Sequence, residues 1–467
     1  MLKNILILLI VTLCTEFCFS QNHSLSEMEN HFKTDSKTGK LFHQMILYQD
    51  RQDDLVRINS DGIIICLEKI KRKHLTPKGE PKLTIQNQFD LFNIDLDTLI
   101  NVGLKKASKK SENILDDNKV MVLTHWATFN SNVRTINYNV YDTLPQGNYN
   151  YYKSGVKQLE KIKETLAEKL KTGGYTHVLL GSTGWNNDQK TSFFRYRKWI
   201  EITCDAAKRE GTTFKPFFIG ITWPSEWKLG LLPTLLSKVS SVFNKANDAD
   251  EIGMTYGNQL IWKGIIPVLD SLKSKGDSIP LIALGHSFGA RLLTRAAHSK
   301  VLFKDTLSSK SKIDLMISAQ GAFSVNRFLK KKNWEGGIYT IITPWNKFVA
   351  TSSVHDSAND MAFHTTYIGN QRSINKLRRS YLGVLFNYNK VHSTGELINP
   401  GSQNIHTAIV ADDLICKGKT PLVKAHGDII RPVFGNFLIN LINTYAPSRI
   451  STIKIVPATD NLTIGGL

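Results

Sequence analysis

Gly285-His286-Ser287-Phe288-Gly289 sets a serine between two glycines, in the pattern Gly-x-Ser-x-Gly. A serine hydroxyl attacks well only when a base takes its proton and a carboxylate orients that base. Amide donors must also face the oxyanion that the attack creates. Downstream, His364, His392, His406 and His426 are the candidate bases. Also downstream, "SSVHDSANDMA" carries two carboxylates, Asp356 and Asp360. Upstream, Ser182-Thr183-Gly184-Trp185-Asn186-Asn187 is a glycine turn that can present amides. The chemistry open to such a set is acyl transfer through a serine nucleophile.

These residues need elements to position them. Ile279 to Leu284 is an apolar run of strand length, and Ser287 to Lys300 has helical spacing. Ser287 therefore falls at a strand-to-helix turn, where flanking glycines permit close approach and the helix start aims amides at the site. From about residue 118 the chain alternates. Strands are expected in "KVMVLTHWA", "YTHVLLG", "KPFFIGITW", "IPLIALG", "IDLMISAQG" and "GGIYTIITP". Helices are expected in "GVKQLEKIKETLAEKLK", "RYRKWIEITCDAAKREG" and "LIWKGIIPVLDSLKSKG", the last kinked by Pro267. This alternation predicts an α/β fold, a mostly parallel sheet with helices on both faces. Beyond Ser287, strands at Ile313 to Ser318 and Ile338 to Thr343 precede the aspartates.

With these motifs in place, residues from about 120 to 445 resemble an α/β-hydrolase, in particular bacterial serine hydrolases of the esterase/lipase kind. In that family the order is serine, acid, histidine. The acid follows the second strand beyond the serine, and the histidine follows the last strand. The resemblance implies Ser287 as nucleophile and Asp356, in Asp356-Ser357-Ala358, as acid, with Asp360 as the alternative. It implies His426 as base, in "LVKAHGDIIRPVFGNFLINLI", with His406 second. The long segment between Asp356 and His426 carries the basic "RSINKLRRS". The oxyanion donors would be the amides of Phe288 and Trp185, although Thr183 stands where the family often has histidine. The implied activity is hydrolysis of small-molecule or lipid-like carboxylic esters, with no metal or organic cofactor. A peptidase or amidase on the same residues, and a non-catalytic binding protein on the same scaffold, are the alternatives.

The rest of the chain sets bounds. Residues 1–20 read as a signal peptide cut near Ser20/Gln21, because the apolar run Ile5 to Leu13 is short for a bilayer span. The expectation is an exported protein, periplasmic or secreted. Residues 21–115 read as a separate N-terminal region rich in short strands, such as "LVRINSDG" and "IIICLEKI", ahead of a catalytic domain over 116–467. In 225–250, "LLPTLLSKVSSVF" has one apolar helical face, which suits either a lid over acyl chains or a core-facing helix. Of five cysteines, Cys66, Cys204 and Cys416 follow the leader; their wide spacing argues against zinc and demands no disulfide. The charge of +19 reflects 59 basic against 40 acidic residues. It reads as a lysine-rich solvated surface that can touch anionic surfaces. No aromatic-interleaved motif accompanies it, so nucleic acid is not expected as a partner.

Overall fold

Three strands near the middle of the chain are buried along their whole length: β5 (His177–Ser182), β6 (Pro216–Thr222) and β7 (Leu281–His286). Such runs suit a sheet covered on both sides, because alternate side chains leave opposite faces. The computed structural model bears this out. It describes residues 22–23, 60–71, 119–129, 137–138, 151–185, 187, 189–225, 245–302, 310–329, 339–340, 342–359, 366–378, 384–398, 404–416 and 425–448. The other strands are β1 (Asn22–His23), β2 (Asp61–Lys71), β3 (Lys119–Phe129), β4 (Asn137–Tyr138), β8 (Ile313–Ala319), β9 (Trp345–Ser352), β10 (Phe386–Lys390) and β11 (His406–Val410). All join one sheet in the order β10-β11-β9-β8-β7-β5-β6-β2-β3-β4, with β1 beside β2. Every neighbouring pair from β10 to β2 is parallel. At the far edge β3 and β4 run antiparallel.

Helices cover both faces. Ile63, Val178, Phe217, Ala283 and Met316 pack with α1 (Tyr151–Thr172), α3 (Ile266–Lys273) and α4 (Phe288–His298). Their sequence neighbours Ile64, Leu179, Phe218, Ile282 and Leu315 pack with α2 (Gln189–Arg209) and α6 (Pro432–Tyr445). The short α5 (Gln371–Arg378) precedes β10. The α/β fold with a largely parallel, doubly covered sheet is thus observed.

Several expectations are corrected. Of residues 21–115, expected to form a separate region, the described stretch Asp61–Lys71 belongs to the same sheet: β2 pairs in parallel register with β6 from Asp61↔Phe217 to Cys66↔Thr222. The run Ile63-Ile64-Ile65 is buried on both faces, as an interior strand requires. The strand expected at Ile338 to Thr343 is instead β9, at Trp345–Ser352. Of the expected segment, Tyr339 and Thr340 form a turn, because Tyr339 is drawn into other contacts. Its ring stacks on His298 at 3.9 Å, and its hydroxyl accepts from Arg327 Nη1 at 2.8 Å. Just before Pro267 the helix widens into a π-helical turn at Leu260–Ile265, and Pro267 sits in the first turn of α3. Proline lacks the amide that a regular turn would use, and a wider turn relieves its ring from the preceding carbonyls. Of the lid expected at 225–250, residues 226–244 lie outside the described residues. Residues 245–250 open a helix that buries Lys245, Asp248 and Asp250, so that part is core.

Candidate functional site

The chain leaves β5 toward β6 on one side and returns to β7, from which β8 and β9 extend the other way. The strand order therefore reverses between β5 and β7. In an open parallel sheet, a crevice forms at the carboxyl ends of the strands flanking such a reversal. Ser287 follows β7 directly, and Gly184 lies two residues past β5. Both sit at that crevice.

Ser287 has φ 54° and ψ −122°, a backbone state that residues with a Cβ rarely adopt. The surroundings enforce it. The Ser287 amide donates to the Ala319 carbonyl at 3.0 Å, and the Ser287 carbonyl accepts from the Ala322 amide at 3.1 Å. A Cβ on Gly289 would lie 2.0 Å from the Ser182 carbonyl oxygen, so only glycine lets α4 approach the end of β5 this closely. A Cβ on Gly184 would lie 2.5 Å from the Ser287 Cβ and 3.0 Å from its Oγ. The Gly184 turn is thus packed directly on the serine, which is 7% exposed.

Two amides predicted to serve this serine belong to Phe288 and Trp185. Phe288 is the first residue of α4, where an amide has no partner within the helix. The Trp185 turn is held by Asn187, whose Nδ2 donates to the Gly184 carbonyl at 2.7 Å and the Trp185 carbonyl at 3.1 Å. A planar trans peptide points its N–H opposite its C=O. Drawing the Gly184 carbonyl toward Asn187 therefore turns the Trp185 N–H the other way. Asn187 is itself pinned: its amide donates to Ser225 Oγ at 3.1 Å, and the Ser225 hydroxyl donates back to its carbonyl at 2.7 Å.

The third element is a carboxylate–imidazole pair. Asp356 follows β9 by four residues and is 1% exposed. His426 Nδ1 donates to Asp356, 2.9 Å from each carboxylate oxygen. Gln320 Nε2 and Asn359 Nδ2 each donate to Oδ2 at 2.9 Å. The amides of Ala358 and Asn359 donate to Oδ1 at 3.1 and 3.3 Å. Every partner is a donor, which suits an acceptor-only carboxylate. With Nδ1 committed, Nε2 is the imidazole nitrogen left to accept a proton. The His426 side chain is 15% exposed, so solvent reaches it.

His286, one residue before the serine, anchors the histidine loop. Its Nε2 donates to the His426 carbonyl at 2.9 Å, and the two rings are 4.6 Å apart. Burial, with His426 and Arg195 nearby, pushes His286 well below the usual imidazole range, so it stays neutral and keeps this donor role.

Compared with known proteins, this chain matches no family model, no curated sequence and no solved structure at a significant level. The geometry therefore carries the functional argument by itself.

Ser287, Asp356, His426, Phe288 and Trp185 are all described, and Asp356 and His426 are in direct contact. Asp360 and His364 lie outside the described residues. His406 lies within β11 and accepts from Trp345 Nε1 at 3.1 Å; burial pushes it down to about 3. His392 is exposed in a loop. The long gap between Asp356 and His426 contains α5, β10 and β11. Of the basic segment, Arg372 to Arg378 lie in α5. Among the described residues, Cys66, Cys204 and Cys416 form no disulfide, and no group of three or more His, Cys, Asp or Glu could hold a metal ion. Sequence reasoning missed Asn187, His286, Gln320 and Asn359. Only Asn187 and Asn359 carried a signal, as asparagines placed to cap the turns they sit in.

Proposed function

We propose that the protein is a serine hydrolase of the α/β-hydrolase kind, acting on carboxylic esters. The observation that carries this reading is the Asp356–His426 pair, tied through His286 to the strained turn of Ser287. The order of elements supports it: the acid follows the second strand beyond the serine (β8, then β9), and the histidine follows β11.

In the proposed reaction, His426 Nε2 takes the Ser287 proton as Oγ attacks the ester carbonyl. Asp356 holds the imidazole by Nδ1 and stabilises its cationic form. The Phe288 and Trp185 amides receive the oxyanion. The imidazolium then protonates the departing alcohol. Water attacks the acyl-enzyme by the same route, regenerating Ser287. Each step uses side chains and amides already present, so the proposal calls for no cofactor. Residues 1–20 are proposed as an export leader.

A fluorophosphonate probe and a chain-length series of p-nitrophenyl esters test the reading. Wild type is expected to label and to hydrolyse at least one ester, and Ser287→Ala to do neither. Full ester hydrolysis by Ser287→Ala, or a wild type inert to both probe and esters, would sink it. A parallel panel of peptide substrates separates ester from amide cleavage.

A further inference from the structure

Gln320 is fully buried directly after β8, and it has φ 49°, the left-handed state that non-glycine residues seldom occupy. Its neighbours on either side hold the serine: the Ala319 carbonyl accepts from the Ser287 amide at 3.0 Å, and the Ala322 amide donates to the Ser287 carbonyl at 3.1 Å. Its own side chain holds the acid, Nε2 donating to Asp356 Oδ2 at 2.9 Å. One four-residue turn therefore touches both the nucleophile's backbone and the acid's carboxylate.

The amide of Gln320 cannot be turned over without loss. Thr351 Oγ1 accepts from the Gln320 main-chain amide at 3.0 Å, which commits an oxygen lone pair. The Thr351 hydroxyl proton then donates to Gln320 Oε1 at 2.8 Å. With Oε1 committed to Thr351, Nε2 must face Asp356. A second side-chain amide closes the assembly: Asn359 Nδ2 donates both to the Gln320 carbonyl and to Asp356 Oδ2, each at 2.9 Å. Asn370 Nδ2 in turn donates to the Asn359 carbonyl at 2.9 Å. Close packing backs the turn, since a Cβ on Gly369 would lie 2.7 Å from the Gln320 carbonyl carbon.

We infer that Gln320 is a positioning residue: through Asp356 it sets the orientation of His426, and through its turn it keeps Ser287 in register with that pair. This rests on the hydrolase reading proposed above for its catalytic consequence, and on geometry alone for its structural one. Gln320 touches no reacting atom.

Two variants of the full chain test the inference. Gln320→Glu keeps size and shape but replaces the donor with a second carboxylate facing Asp356. Thr351→Val keeps shape but frees the Gln320 amide to rotate. The expected result for Gln320→Glu is a fall in kcat of about 10- to 100-fold, the usual effect of removing a buried hydrogen bond to a charged group. KM should stay within about twofold, because substrate does not touch Gln320. Thr351→Val should move the same way by less. The downfield proton resonance of His426 Nδ1–H, bonded to Asp356, should shift or broaden in both variants. The inference is overturned if kcat per folded molecule stays within about twofold and the resonance is unmoved. A drop in melting temperature alone, with kcat intact, overturns it equally. Should Gln320→Glu fail to fold, Thr351→Val decides. A wild type without esterase activity defeats the proposed function instead, and the resonance then judges Gln320 without reference to activity.

Discussion

The Ser287 backbone makes a stability prediction that does not depend on turnover. At φ 54° and ψ −122°, Ser287 occupies a region open to glycine and costly for any residue with a Cβ. Such a state costs about 1–3 kcal/mol. Compare Ser287→Ala with Ser287→Gly, both lacking the hydroxyl. Glycine removes the strain, a gain of about 2 kcal/mol at the middle of that range. Against it stand about 0.7 kcal/mol for the freer unfolded chain and about 0.8 kcal/mol for one buried methyl lost. The balance leaves Ser287→Gly about 0.5 kcal/mol more stable than Ser287→Ala. At an unstrained buried position the same exchange would cost about 1.5 kcal/mol. The two outcomes thus differ by about 2 kcal/mol, which urea denaturation resolves when m is unchanged. A Ser287→Gly midpoint well below that of Ser287→Ala would refute the claim that the turn stores strain.

Gly184→Ala puts a Cβ 2.5 Å from the Ser287 Cβ and 2.9 Å from the His286 carbonyl oxygen, so the serine must move; kcat on a responsive ester should fall about 100-fold, the scale of an ångström's misplacement, with a stability loss of about 1–3 kcal/mol by urea denaturation. Burial pushes the Asp250 carboxyl up, but Arg291, Arg327 and Arg295 outweigh it and hold it below the usual range. Asp250→Ala leaves these buried guanidiniums without their shared anion and should cost about 3–5 kcal/mol by urea denaturation. Burial lowers His177 to about 4, opposed by its hydrogen bond to the Ala446 carbonyl. The unfolded chain, near pH 6.5, therefore binds the proton first; His177's contribution is complete above about pH 6.5 and lost as pH falls toward about 4. It amounts to about 3 kcal/mol. Stability curves at several pH values should show a shallower acid-side slope in His177→Gln by roughly one proton, and an unchanged slope would contradict the assignment.

The serine turn was legible because its requirements are short-range. Two glycines, an apolar strand and a helical repeat lie within a few residues of one another, and sterics link them. The acid was legible by chain order, yet for a partly mistaken reason. The apolar run 338–343 forms no strand where it is described, and the element that leads to Asp356 is β9. β9 carries Asn346 and Lys347 among its apolar residues, which masks an interior strand in a single sequence. β2 reads locally as part of a separate region because its partner β6 lies far away along the chain, and parallel register leaves no local mark. Gln320 was illegible for a sharper reason. A left-handed residue is normally announced by glycine, and here the position is filled by a side chain that the neighbouring strand requires.

That requirement follows from sheet geometry. Parallel strands lie about 4.8 Å apart, so the ends of β7 and β9 are separated by about 10 Å. Two hydrogen bonds of about 2.9 Å with an imidazole between them can span such a distance. The span is met from the side, by a histidine on a loop that arrives after β11 and is held at its own carbonyl by His286. Beneath the imidazole, the end of β8 is left between serine and acid with no role in proton transfer. It cannot be neutral filler, because the carboxylate of Asp356 is buried and needs donors on the side away from His426. The main-chain amide at the end of β8 is already committed, since the Gln320 N–H donates to Thr351 Oγ1. A side chain with one donor and one acceptor can serve instead, provided the acceptor is occupied by the adjoining strand, and Gln320 with Thr351 supplies that pairing. The intervening strand is thus a working part of the site, and its chemistry is constrained by both neighbours at once.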